Sequence, residues 1–165
     1  MIRVLGIDPG LAATGWGLVE TDGSRYRYVG HGVITTAANT DIGARLRTIF
    51  QDLQSIISTS KPDESGVETL YFARNVSSAL PVAQARGVVF LALSLADVPS
   101  FEYPPQAIKQ SIVGQGRAEK HQVQELVRVL LGLREIPRPD HSADALAAAI
   151  CHIAHRSMQE RLRNV

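Results

Sequence analysis

The pattern of apolar and polar positions opens with a run from Ile2 to Ile7 that stops on Asp8 and is followed at once by Pro9-Gly10. It predicts a buried strand with Asp8 at its C-terminal tip, which is where open α/β sheets keep their chemistry. Alternation puts Val4, Gly6 and Asp8 on one side and Arg3, Leu5 and Ile7 on the other. Asp8 thus shares its face with small neighbours, and a helix or a phosphate could approach there. Thr14 to Thr21 and Tyr26 to Thr35 are two more strand-like runs, joined by the turn residues Asp22-Gly23-Ser24, so the chain opens as a three-stranded antiparallel meander. From Asp41 the period becomes helical, with Ile42, Leu46, Ile49, Phe50, Leu53, Ile56 and Ile57 on one stripe and Lys61-Pro62 as the stop. Glu64 to Leu70 reads as a short strand carrying Glu68 near its end. It should lie parallel to the first, because a long helix separates it from the meander.

A second helix is expected from about Ser78, with Pro81 in its first turn and Leu80, Ala83, Gly87, Phe90, Leu91 and Ser94 along one face. Pro99 to Tyr103 is a fifth strand. Helical pieces over Pro105 to Val113 and Ala118 to Leu131 are split by Gly114-Gln115-Gly116. After Pro137-Arg138-Pro139 a last helix runs from Ser142 to about Arg161, rich in alanine on the side of Ala145, Ala148 and Ala149. The order βββαβαβ followed by helices, without repeats or linkers, predicts an α/β fold with a mixed five-stranded sheet flanked by helices, as a single domain over residues 1–165.

Composition narrows the partners. With a formal net charge of +1, any nucleic-acid contact must come from clustering of the 17 basic residues rather than from their total. One cysteine excludes an internal disulfide framework, and Cys151 reads as core rather than half of a zinc site with His155. The start MIRVLGID carries neither a signal peptide nor an apolar span of about 18 residues, so a cytoplasmic location without a membrane role is expected.

The carboxylates are the strongest chemical signal. Asp8 and Glu68 end two strands expected to be parallel, and neighbouring strands lie about 4.8 Å apart, so both side chains can converge on one ion. His141 and Asp144 are three residues apart at a helix start and face the same way. If that helix packs beside Asp8, the four form a small, partly open acidic site suited to hard divalent cations and phosphodiester cleavage. Plainer readings stand beside this one: Asp8 as a turn former, Asp140 as an N-cap, Asp144 as a complement to the helix dipole. Tyr71, Phe72, Arg74 and Asn75 follow the Glu68 strand in a rim loop, where the aromatics could stack on bases and Arg74 hold a phosphate. Lys109, Arg117 and Lys120 could grip a DNA backbone, or could simply be a solvated helix surface.

Together these residues resemble a known family. G-I-D-P-G-x3-T-G-W-G at Gly6 to Gly17, V-E at Val67-Glu68, N-x2-S-A-L-x3-Q-A-R-G from Asn75 to Gly87, V-G-x-G-x-A-E-K from Val113 to Lys120 and D-A-L at Asp144 to Leu146 are similar to the RuvC family of Holliday junction resolvases, in order and at compatible spacing over almost the whole chain. The resemblance implies a ribonuclease H-like fold. It also implies a homodimer that nicks two strands of a four-way DNA junction symmetrically, in homologous recombination and DNA repair. Asp8, Glu68, His141 and Asp144 would be the catalytic, metal-binding group, with Mg²⁺, two per site and replaceable by Mn²⁺, as cofactor. Tyr71 or Phe72 falls at a junction-contacting aromatic, and Lys109 and Lys120 at basic DNA-binding positions. The implied protein partners are a junction-binding protein and a ring-shaped branch-migration motor. Many members of that family have aspartate where this chain has His141 and some have histidine; neighbouring Asp140 could supply a carboxylate in its place, beside its reading as a cap. Two alternatives are a non-catalytic junction-binding module, for which the acidic cluster would be dispensable, and a nucleotide-binding fold of the actin and sugar-kinase type. The latter shares a G-I-D-x-G loop but needs a second domain to close over the nucleotide.

Overall fold

The computed structural model describes residues 1–69 and 76–163, so Tyr71, Phe72, Arg74 and Asn75 lie outside the described residues. The described strands are β1 (Ile2–Asp8), β2 (Ala13–Thr21), β3 (Tyr26–Thr35), β4 (Glu64–Glu68) and β5 (Ser100–Tyr103), in the sheet order β3-β2-β1-β4-β5. β3, β2 and β1 pair antiparallel, and β4 adds parallel to β1 and β5 parallel to β4. The expected mixed sheet is therefore present.

Alternation along the strands divides the apolar residues between two cores. On one face Leu5, Ile7, Leu18 and Val67 pack with Ile49, Leu53 and Ile57 of α1 (Ile42–Ser60) and with Ala85, Val89 and Leu93 of α2 (Val76–Leu95). On the other, Val4, Val19 and Tyr103 pack with Ile108 and Ile112 of α3 (Pro105–Val113), Val123 and Val127 of α4 (Lys120–Leu130) and the run Leu146 to Cys151 of α5 (Asp140–Arg163).

α1 starts where Asp41 accepts a hydrogen bond from the Ala44 amide at 3.1 Å and ends where Lys61 turns left-handed, its N–H donating to Ile57. The stripe holds except at its first residue, since Ile42 is exposed. α2 needs a larger correction. It begins at Val76, so Pro81 sits in the second turn, and its buried side is Ala85, Val89, Ala92 and Leu93. Leu80, Ala83, Gly87, Leu91 and Ser94, expected along one face, instead lie on the exposed side, and only Phe90 of that set packs against the core. A helix apolar all round has no period from which to read its buried side. β4 stops at Glu68, two residues short of the expected end.

The feature that sets the site is how closely α5 approaches the sheet. Gly17, Gly6 and Gly66 are register neighbours across β2, β1 and β4, and Gly15 is paired with Asp8. A Cβ on Gly6 would run into the carbonyl of Ala145, one on Gly15 into the carbonyl of His141, one on Gly17 into Leu146, and one on Gly66 would press on Ala148 and His152. Four glycines thus clear a lane in which the alanine-rich side of α5 lies on bare backbone. Farther along, a buried polar chain holds α5 down. The Tyr103 hydroxyl meets His152 Nδ1 at 2.8 Å, and His152 Nε2 meets Glu64 at 2.7 Å. Burial lowers the His152 pKa, which leaves the ring neutral between a hydroxyl and a carboxylate.

Candidate active site

Asp8 ends β1 with its side chain only 14% exposed. The turn behind it is pinned by Thr14, a buried residue whose hydroxyl donates to the Gly10 carbonyl at 2.7 Å and accepts from the Gly10 amide at 3.3 Å. Because α5 lies on the glycine lane, its first turn arrives directly over this strand end. His141 Nδ1 is 2.7 Å from Asp8 Oδ2. A carboxylate is an acceptor only, so the ring donates from Nδ1 and keeps Nε2 as its free nitrogen. Asp144, almost one turn further on, completes a trio in which one ligand atom from each of Asp8, His141 and Asp144 lies within 4.8 Å of the others.

Glu68 is outside that trio but adjoins it. With Asp144, Lys109, Lys120, Pro105, Ile108, Val123 and Ala147 it lines an open cavity of about 200 Å³. Burial, reinforced by the negative charges of Asp8 and Asp144, pushes its pKa up to about 8, against the weaker pull of Lys120 and Lys109. Asp8 is raised as well, by burial first, with the His141 hydrogen bond opposing. Burial and mutual repulsion thus make Asp8 and Glu68 costly to ionise together in this cleft, and a cation among them would relieve that cost. Carboxylate oxygens around a partly open cleft, with one imidazole among them, fit a hard divalent cation.

Structure brings together all four residues that the sequence singled out, and it places Lys109 and Lys120 at the same cavity. Arg117 is exposed in the segment before α4 and makes no contact with the cluster among the described residues. Three features escaped the sequence reading: the start of α5, the pairing of Lys120 and the full extent of the glycine lane. Asp140 is the first residue of α5 rather than the residue before it, and its carboxylate accepts from Lys120 at 3.3 Å. Lys120, although exposed, is paired with Asp144 at 3.1 Å. The first had no clear sequence signal, since an acidic residue after proline fits either position. For the glycine lane a signal was available, in glycines at alternate positions of three strands.

A family model, crossover junction endodeoxyribonuclease RuvC, matches residues 4–152. The chain belongs to the RuvC family. The crossover junction endodeoxyribonuclease RuvC of Heliobacterium modesticaldum is 54% identical over 148 residues, covering 90% of this chain and 91% of the relative. Thermus thermophilus RuvC, solved in complex with Holliday junction substrate, superposes with a TM-score of 0.92 at 35% identity, over 96% of this chain and 97% of that one. The yeast mitochondrial Holliday junction resolvase Ydc2, 14% identical with a TM-score of 0.73 over 99% of this chain and 82% of its own, shares the fold. The fold is ribonuclease H-like, as the resemblance implied.

Proposed function

We propose that the chain is a structure-selective DNA endonuclease that resolves four-way (Holliday) junctions by metal-dependent hydrolysis of phosphodiester bonds, in homologous recombination and DNA repair. The observation that carries this reading is the meeting of Asp8 and Glu68, at the ends of β1 and β4, with Asp144 from the start of α5, in a chain belonging to the RuvC family. Asp8, Glu68 and Asp144 would hold Mg²⁺, two ions per site and replaceable by Mn²⁺, with His141 as nitrogen ligand or water-orienting group; the ions would supply Lewis acidity and a more acidic bound water.

The chain's own residues do the rest. Asp8 fixes the tautomer of His141 and leaves Nε2 to bind or to accept a proton from the attacking water. Lys109 and Lys120, beside the carboxylates, neutralise the phosphate that would otherwise be repelled by them. Tyr71, Phe72 and Arg74, which follow Glu68 in sequence, are proposed to contact the junction. Arg117 is proposed as an outer backbone contact.

Symmetric nicking needs two such sites, so the active species is proposed to be a homodimer. Its surface is assigned to the outer face of α2, where Leu80, Leu91 and Leu95 are 62%, 52% and 62% exposed and a methyl at Gly87 would meet nothing within 4 Å. A junction-binding protein and a ring-shaped branch-migration motor complete the proposed set of partners. Among the described residues no helix is long and apolar enough to cross a membrane, and a cytoplasmic location is proposed.

The test is incubation of the purified protein and Mg²⁺ with a labelled four-way junction and a linear duplex of the same sequence. Paired, ligatable nicks in the junction alone are expected. A junction that is bound and never cut would favour the non-catalytic binding module.

A further inference from the structure

Lys120 stands at the first residue of α4, and its ammonium reaches across to α5, 3.1 Å from Asp144 Oδ2 and 3.3 Å from Asp140 Oδ2. Its side chain is 53% exposed, so the tip can leave without unpacking the core. Lys109 lines the same cavity, yet among the described residues it makes no ion pair. An ammonium donates and has no lone pair, so it satisfies Asp144 with one positive charge. A divalent cation brings two charges to the same oxygens. The cation and an ammonium held 3.1 Å from the same carboxylate repel each other, so loading one weakens the hold of the other.

We propose that Lys120 is an internal counter-ion: it holds Asp144 while the site is metal-free, gives it up when a divalent cation binds, and, still tethered near the site by Asp140, transfers its charge to the substrate phosphate. The proposal rests on the metal-dependent reading above and deepens it. Metal loading and DNA gripping become linked through one side chain, because the cation that organises the carboxylates also frees the group that meets the phosphate. Asp140 then has a task beyond opening a helix. It keeps the released ammonium from moving into solvent, and its own pKa is lowered first by its hydrogen bond with Lys120.

The experiment is Mn²⁺ titration of DNA-free protein by calorimetry, comparing wild type, Lys120→Met and Lys109→Met, with folding checked by thermal melting. Removing a competing cation should tighten Mn²⁺ binding about tenfold in Lys120→Met, while Lys109→Met, which changes the general field without breaking a pair, should move it by less than about threefold. A wild-type measurement supports this independently of any variant. In ¹⁵N-lysine-labelled protein, saturating Mg²⁺ should move the Lys120 ammonium resonance to the position of a freely exchanging group. Equal Mn²⁺ affinity in wild type and Lys120→Met, or equal tightening in both variants, overturns the exchange and leaves the metal-dependent reading standing. A wild type that binds no divalent ion removes that reading together with the exchange.

Discussion

Asp8 is the residue on which three kinds of structure converge: a strand end, a pinned turn and the first turn of a helix from the far end of the chain. Asp8→Asn nearly preserves its shape while removing an anionic ligand. Junction cleavage under single-turnover conditions should fall by at least about a hundredfold, with junction binding at matched salt little changed. Cleavage retained within a few-fold would remove Asp8 from the centre of the mechanism. Glu68 makes a different prediction, through pH. Its folded pKa of about 8 lies above that of an ordinary glutamate, so between the two values the folded protein binds the extra proton. Stability of the metal-free protein must then fall as pH rises from about 4.5 toward 8. Glu68→Gln deletes that penalty. In EDTA it should stabilise the protein by on the order of 2–4 kcal/mol at pH 8 and by little near pH 4.5, read from urea denaturation at the two pH values. A pH-independent difference would show that Glu68 is not held under charge pressure. The same pressure makes the site a place where folding stability is exchanged for an affinity toward cations.

At the scale of elements, the position of α5 decides whether there is a site at all. The lane formed by Gly6, Gly15, Gly17 and Gly66 lets the helix backbone sit against the strands, and the polar chain from Tyr103 through His152 to Glu64 fixes it at the other end. A single methyl at Gly6 meets the Ala145 carbonyl, a backbone atom that no side-chain rotation can move. Gly6→Ala should therefore cost about 2–4 kcal/mol in urea denaturation. It should also reduce cleavage even where the fold survives, because lifting α5 separates His141 from Asp8. Wild-type stability in Gly6→Ala would mean that α5 has slack against β1. The helices differ in how openly they declare their packing. α1 shows its buried stripe in its period and its ends in Asp41 and Lys61. α2 is apolar on both sides, so its sequence cannot say which half faces Leu5 and Ile7 and which is left for another surface.

For the whole molecule, that unburied half of α2 is an apolar surface left over by the fold, with Leu80, Leu91 and Leu95 exposed along it. If it joins two copies, Leu91→Asp should turn the dimer into a monomer in sedimentation at micromolar concentration, with the thermal midpoint of each protomer changed by only a few degrees. Nicking should then lose its pairing between the two strands. A monomeric wild type, or a dimeric Leu91→Asp, would place the interface elsewhere. Much of the architecture was legible in order along the chain. The strand and helix spans follow from a period of two or 3.6 in local segments, and Asp8 and Glu68 announce themselves as carboxylates where apolar runs stop. Such signals are local, and a short window contains them. The pairing of Asp8 with His141, 133 positions apart, is of another kind, as are the cavity shared by Glu68 and Lys109 and the bridge from Lys120 to Asp140 and Asp144. Motif resemblance placed Asp8, Glu68, His141 and Asp144 in one group and Lys109 and Lys120 at DNA-binding positions, but the distances among them depend on how closely one helix can approach three strands, and that is a property of packed backbone. The sequence by itself determined the elements, their order and the acidic residues at their ends; only the tertiary structure decided which of those residues touch, because contact between distant segments is set by steric fit across the sheet rather than by any pattern within a segment.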